Sequence, residues 1–150
     1  MRPNPSPQPS DAPGPEPGAR FAANPALAGR ETVLLVDDEA TILRAGTRIF
    51  SRYGYSVLTA EHGGEAMARL ERGDPGVDLV VTDMVMPVMD ARQLILAIRK
   101  RWPSLPVLLS TGYDAGRIAR EDLALFTGFV PKPYTAEEML RAVRRALDPR

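Results

Sequence analysis

Five side chains stand directly behind apolar runs, and together they are suited to one kind of chemistry. Asp37 and Asp38 follow VLLV, Asp83 follows LVVT, Thr111 follows VLLS, and Lys132 follows FVP. Carboxylates brought close together repel one another and raise a pKa unless a cation intervenes. A hard divalent ion such as Mg²⁺ accepts one or two carboxylates and completes its shell with water and phosphate oxygens. An ammonium and a hydroxyl beside such an ion would neutralise an anion at the same point. A carboxylate nucleophile, a metal, an ammonium and a hydroxyl make up a phosphoryl-transfer site, where catalysis is mainly positioning and charge neutralisation.

Taken singly, each residue also has an ordinary reading. Asp37 and Asp38 precede a predicted helix and could cap it. Asp83, and Thr111 before Gly112, could be turn residues. Lys132 could be a solvated surface lysine. Lysine is scarce, however: Lys100 and Lys132 stand against seventeen arginines. A chain so biased to arginine that keeps lysine at 132 points to a site wanting a compact charge rather than a planar fork.

For these residues to meet, the segments that carry them must lie side by side. From Glu31 onward apolar, β-branched runs alternate with helical spacing. Strands are predicted in Thr32–Glu39, Tyr55–Thr59, Val77–Thr82, Leu105–Ser110 and Phe129–Val130. Helices are predicted over Ala40–Tyr53, Gly64–Leu70, Ala91–Arg101 and Asp114–Leu125, with a last one after Thr135. Thr135 and Glu138 have the spacing of a capping box at the start of that last helix. Five short-linked β-α units predict an α/β fold, a doubly wound parallel sheet of order 2-1-3-4-5 with five helices. Ligands of such sheets bind beyond the carboxyl ends of the strands, which is where Asp37, Asp38, Asp83, Thr111 and Lys132 fall.

Composition narrows the remaining possibilities. The 150 residues hold 19 basic and 19 acidic side chains, and the arginines are scattered, so no basic stripe argues for nucleic acid. Cysteine is absent, which excludes disulfides and thiolate chemistry and suits a cytoplasmic protein. No run approaches the roughly 18 apolar residues of a membrane span. Eight of the fifteen prolines fall in residues 1–30, predicting a disordered or polyproline tail before a domain spanning 31–150.

At this point the chain resembles the receiver domain of two-component response regulators. The matching stretches are VLLVDDE (33–39), VVTDMVMPVMD (80–90), LLSTG (108–112) and FVPKPY (129–134). The resemblance, covering about Thr32 to Leu147, implies a flavodoxin-like fold and a phosphorylation switch. Asp83 would be the phosphoacceptor, with Asp37, Asp38, Asp83 and the Val85 backbone carbonyl holding Mg²⁺. Lys132 would contact the phosphoryl oxygens, and its bond to Pro133 would be cis. Thr111 and Phe129 would switch, Thr111 toward the phosphorylated aspartate and Phe129 inward. Ordinary strand core is the other reading of Phe129.

The donor would be a histidine kinase or histidine phosphotransfer protein, and the output a contact with a downstream protein. The only catalysis implied is of the domain's own phosphorylation and dephosphorylation. A receiver within a hybrid histidine kinase, or a binding module that no longer takes phosphate, are the alternatives inside the class. A flavodoxin-like redox module would need a phosphate loop where Asp37, Asp38 and Glu39 stand. An aspartyl-phosphate phosphatase would carry its nucleophile after the first strand. The family usually has glycine after MPxMD, whereas Ala91 stands here, so either Asp90 caps an ordinary helix or the loop differs. Val85 and Tyr113 would flank the phosphoryl group and slow its hydrolysis. Arg141, Arg144 and Arg145 lie on the last helix, on the family's output face or as plain solvated charge.

Overall fold

The computed structural model describes residues 24–73, 75–84, 86, 88–112 and 119–148. Five strands, β1 (Thr32–Val36), β2 (Ser56–Ala60), β3 (Leu79–Asp83), β4 (Val107–Thr111) and β5 (Gly128–Pro131), form one parallel sheet in the order β2-β1-β3-β4-β5. The helices are α1 (Ala40–Arg52), α2 (Gly63–Arg72), α3 (Ala91–Arg101), α4 (Arg120–Leu123) and α5 (Ala136–Leu147).

Apolar side chains of the central strands alternate between the two faces, so each strand must be covered twice. Leu34, Val36, Val80 and Leu109 pack with Ala66 and Leu70 of α2 and Leu94, Ile95 and Ile98 of α3. Val33, Leu35, Leu79, Val81 and Leu108 pack on the other side with Leu43 and Phe50 of α1 and Met139, Leu140 and Val143 of α5. Register aligns the strand ends: Val36 pairs with Ala60 and Thr82, Asp83 with Ser110, and Thr111 with Pro131. The polar residues behind β1, β3, β4 and β5 therefore share one edge.

Most boundaries differ from expectation by a residue or two, and several differences have clear causes. β3 starts at Leu79 rather than Val77, and just before it Asp78 meets Thr32 twice, its N–H donating to the Thr32 carbonyl at 2.9 Å and its carboxylate accepting the Thr32 N–H at 2.8 Å. The helix expected over 114–125 is a single turn at 120–123, and residues 113–118 lie outside the described residues. Arg92 on α3 holds the buried Asp122 carboxylate at 2.7 Å, and Arg99 donates to the Leu125 carbonyl, fixing the chain into β5. Capping boxes form at both expected caps, Thr135 with Glu138 and Asp90 with Gln93. Ala91 is the buried first residue of α3, in ordinary helical conformation, and the loop's positive φ lies at Val88 (69°).

The packed chain also starts earlier than residue 31. A 3₁₀ turn at Pro25–Leu27 places Leu27 in the core at 4% exposure. The Tyr55 hydroxyl donates to the Leu27 carbonyl, and the Gly29 N–H donates to Tyr53. One large apolar side chain among prolines and alanines anchors this strap, which overall composition does not reveal. Residues 1–23 lie outside the described residues.

Candidate functional site

β1 ends in a fully apolar run, so the first polar residues, Asp37 and Asp38, emerge at the sheet edge. Asp37 is buried, with Oδ1 accepting the Glu39 N–H at 2.9 Å, while Asp38 is exposed. The Asp37–Asp38 pair does not cap α1: Glu39 is the N-cap residue and makes no side-chain cap bond. Asp83, the last residue of β3, is half-buried. One carboxylate oxygen from each of Asp37, Asp38 and Asp83 lies within 4.8 Å of the others.

β5 delivers the counter-charge. Lys132 Nζ donates to Asp83 Oδ1 at 2.8 Å and lies 3.9 Å from Asp37 Oδ2. Its backbone N–H donates to the Thr111 carbonyl, tying β5 to β4, and the Lys132–Pro133 peptide is cis. Thr111 is buried, one residue beyond the Asp83–Ser110 pair. Phe129 is 45% exposed and lies 6.2 Å from the buried Phe126 ring, so ordinary strand core does not describe it.

Among the described residues, three acids and one ammonium leave the cluster short of positive charge. Burial pushes the Asp37 carboxyl up to about 6, the neighbouring Asp83 and Asp38 charges add to the rise, and the Glu39 N–H and Lys132 oppose it. Burial works against charge on Lys132, but the Asp83 hydrogen bond and the charges of Asp83 and Asp37 outweigh it and raise its pKa. An all-oxygen donor set with surplus negative charge fits a hard divalent cation such as Mg²⁺. Val85 and Tyr113, expected beside this point, lie outside the described residues.

Two features went unrecognised in the sequence. Tyr134 lines the underside of the cluster, and burial raises its phenol pKa against the pull of Lys132. Its place two residues after Lys132 was the only available signal. Arg144 is not a free solvated charge. Its guanidinium holds Glu31 at 2.9 Å, Asp148 and the Tyr55 hydroxyl at the opposite end of the sheet.

Comparison with known proteins agrees with this geometry. The family model for the response regulator receiver domain matches residues 33–144. The sensor kinase CckA of Brucella abortus is 37% identical over 123 residues, 81% of this chain and 13% of that protein. The transcriptional regulatory protein GlrR of Escherichia coli is 37% identical over 77% of this chain and 26% of its own length. The chain thus spans well under a third of the length of these two relatives. Among solved structures, a response regulator receiver domain protein from Clostridium thermocellum superposes with a TM-score of 0.73 at 28% identity, covering 79% of this chain and 94% of that one. The chemotaxis response regulator CheY4 of Vibrio cholerae gives 0.70 at 28% identity, over 79% of this chain and all of that one. With the family's sheet order and with acids and a lysine converging on its carboxyl edge, this chain belongs to the response regulator receiver domains of two-component systems.

Proposed function

We propose that this receiver accepts a phosphoryl group on Asp83 from the phosphohistidine of a histidine kinase or histidine phosphotransfer protein, and that Mg²⁺ is required. The observation that carries this assignment is the Lys132 ammonium, 2.8 Å from Asp83 Oδ1 on a carboxylate that also neighbours Asp37 and Asp38. The Asp83 carboxylate oxygen is the nucleophile that attacks phosphorus. The new P–O bond forms as the donor's P–N bond breaks, and the imidazole leaves with the electron pair. Lys132 lies within reach of the oxygens of a phosphoryl group bonded there, where its charge offsets theirs. Asp37, Asp38 and Asp83 would hold Mg²⁺, which when bound would offset the charge on the transferring phosphoryl oxygens.

Thr111 and Phe129 form the switch. The buried Thr111 hydroxyl, beside the Asp83–Ser110 pair, turns to the added phosphoryl group, and the outward Phe129 ring moves in behind it. Output follows by contact with a downstream protein. The similarity to the sensor kinase CckA favours a second setting, a receiver within a hybrid kinase that passes the phosphoryl group onward. The test is incubation with acetyl phosphate, with and without Mg²⁺, read by intact mass. One phosphoryl group gained only with Mg²⁺, and none in Asp83→Asn, is the expected result. An unchanged gain in Asp83→Asn would overturn the assignment, and no gain under any condition would favour a binding module that takes no phosphate.

A further inference from the structure

Beneath the acidic cluster, on the α1 and α5 side of the sheet, lies a small cavity of about 20 Å³. Four polar side chains line it: Asp37, Asp83, Ser110 and Tyr134. Ser110 is only 4% exposed, and its Oγ finds no hydrogen-bond partner among the described residues. The Tyr134 phenol is close enough for Ser110 to favour its ionised form, but the geometry of a formed bond between them is missing. A buried hydroxyl left without a partner costs about 1–3 kcal/mol, so native structures rarely leave one in place.

We infer that this cavity is a binding site for one ordered water, which bridges Ser110 Oγ and Tyr134 Oη to a carboxylate oxygen of Asp37 or Asp83. A water needs at least about 10–15 Å³ and two to four polar partners, whereas a space of this size lined only by apolar groups stays dry. Here the space suffices for one molecule, and two hydroxyls and two carboxylates supply the partners. The water donates one hydrogen to a carboxylate oxygen and uses its remaining donor and lone pairs on the hydroxyls. This satisfies Ser110 and braces the carboxylates from below, on the side away from solvent. Ser110 and Tyr134 thereby become positioning residues for the acids assigned to Mg²⁺, a role that rests on the function proposed above. The water itself does not depend on that function.

The test joins a structure to a binding cycle. A high-resolution crystal structure of the unphosphorylated, metal-free chain is expected to show one water within about 3.2 Å of both Ser110 Oγ and Tyr134 Oη. Mg²⁺ affinity, measured by isothermal titration calorimetry, is expected to fall about three- to tenfold in Tyr134→Phe and in Ser110→Ala, as for the loss of one bridged hydrogen bond. The double variant should fall no further than the weaker single one, because both lose the same water. Losses that simply add, or an affinity unchanged in both variants, would overturn the positioning role. Empty density at the cavity would overturn the site itself. Neither result bears on Asp83: failed phosphorylation by acetyl phosphate leaves the density test standing, and absent density with intact phosphorylation removes the water alone.

Discussion

The two ends of the sheet handle charge in opposite ways. At the carboxyl end Asp37, Asp38 and Asp83 share one ammonium, and Asp37 is pushed up to about 6, first by burial. At the amino end a single guanidinium, Arg144, meets Glu31, Asp148 and the Tyr55 hydroxyl. There burial raises the Glu31 pKa, but the Arg144 hydrogen bond and charge outweigh it and lower it. Backbone strain is divided the same way. Among the described residues, positive φ falls on glycine at Gly54 and Gly73, before β2 and β3, and on Val88 in the loop beyond β3. Local rules are obeyed where only the fold is at stake and broken where chemistry is proposed, which is the usual pattern at functional sites.

The largest expected effect breaks the contrast from the site side. Lys132→Met keeps the side chain's length and removes the ammonium that Asp83 holds at 2.8 Å. Phosphorylation by acetyl phosphate should slow about 100-fold or more, the scale of losing one charge-stabilising donor. A rate within a factor of three of the parent would remove Lys132 from the mechanism. At the other pole, Leu27→Ala should destabilise the chain by about 2–3 kcal/mol, the lower part of the range for buried leucines. The strap lies far from Asp83, so the phosphorylation rate should not change. Urea unfolding followed through Trp102, which ends α3, measures the loss. A change below about 0.5 kcal/mol would mean that the strap is not part of the folded domain.

Asp37→Asn sharpens the contrast, because it should stabilise the metal-free chain while abolishing its response to Mg²⁺. The folded pKa of Asp37 is raised above its ordinary value of 3.8 to about 6. The folded state therefore binds the proton more tightly than the unfolded state does. The stabilising contribution of the protonated form is complete below about pH 4 and is lost as pH rises through about 6. At pH 7.5, without metal, the variant should gain on the order of 1–2 kcal/mol, and at pH 4 the two proteins should match. Equal urea midpoints at pH 7.5 would show that the cluster is not frustrated.

Much of this was legible in the residues. Val33–Val36, Leu79–Val81 and Val107–Leu109 are apolar without interruption, so buried parallel strands and the sheet order followed, and with them the edge that gathers Asp37, Asp83 and Lys132. The start of β3 was less legible, because Asp78 meets Thr32 of β1 through both its N–H and its carboxylate, a long-range contact with no local signature. The Leu27 strap was hidden by proline-rich composition. Arg144 was misread because one face of a helix can meet either solvent or a distant glutamate, and residue 31 is 113 positions away. Tyr134 belonged to a recognised stretch, but the space beneath the acids exists only once β4, β5 and α5 are packed.

The smallest expected effect concerns Val88. A β-branched residue at φ 69° is a genuine outlier, since its Cβ crowds the backbone there, at about 1–2 kcal/mol. The side chain recovers little, being 78% exposed. Val88→Gly removes the strain but gives the unfolded chain more freedom, which takes back about 0.5–1 kcal/mol. The difference favours the variant by about 0.5 kcal/mol, measured as a higher urea midpoint at an unchanged slope. Gly54→Ala at the other end has the opposite sign: its φ is 98°, and the added Cβ would strike the Gly29 carbonyl. If Val88→Gly is instead destabilising, the strain is offset by contacts around Gly63 and Gly64, where Met89 already packs and the Val88 methyl lies 3.9 Å from an added Cβ. In that case the loop next to Asp83 is held as firmly as the amino end, and the contrast between the poles narrows to charge alone.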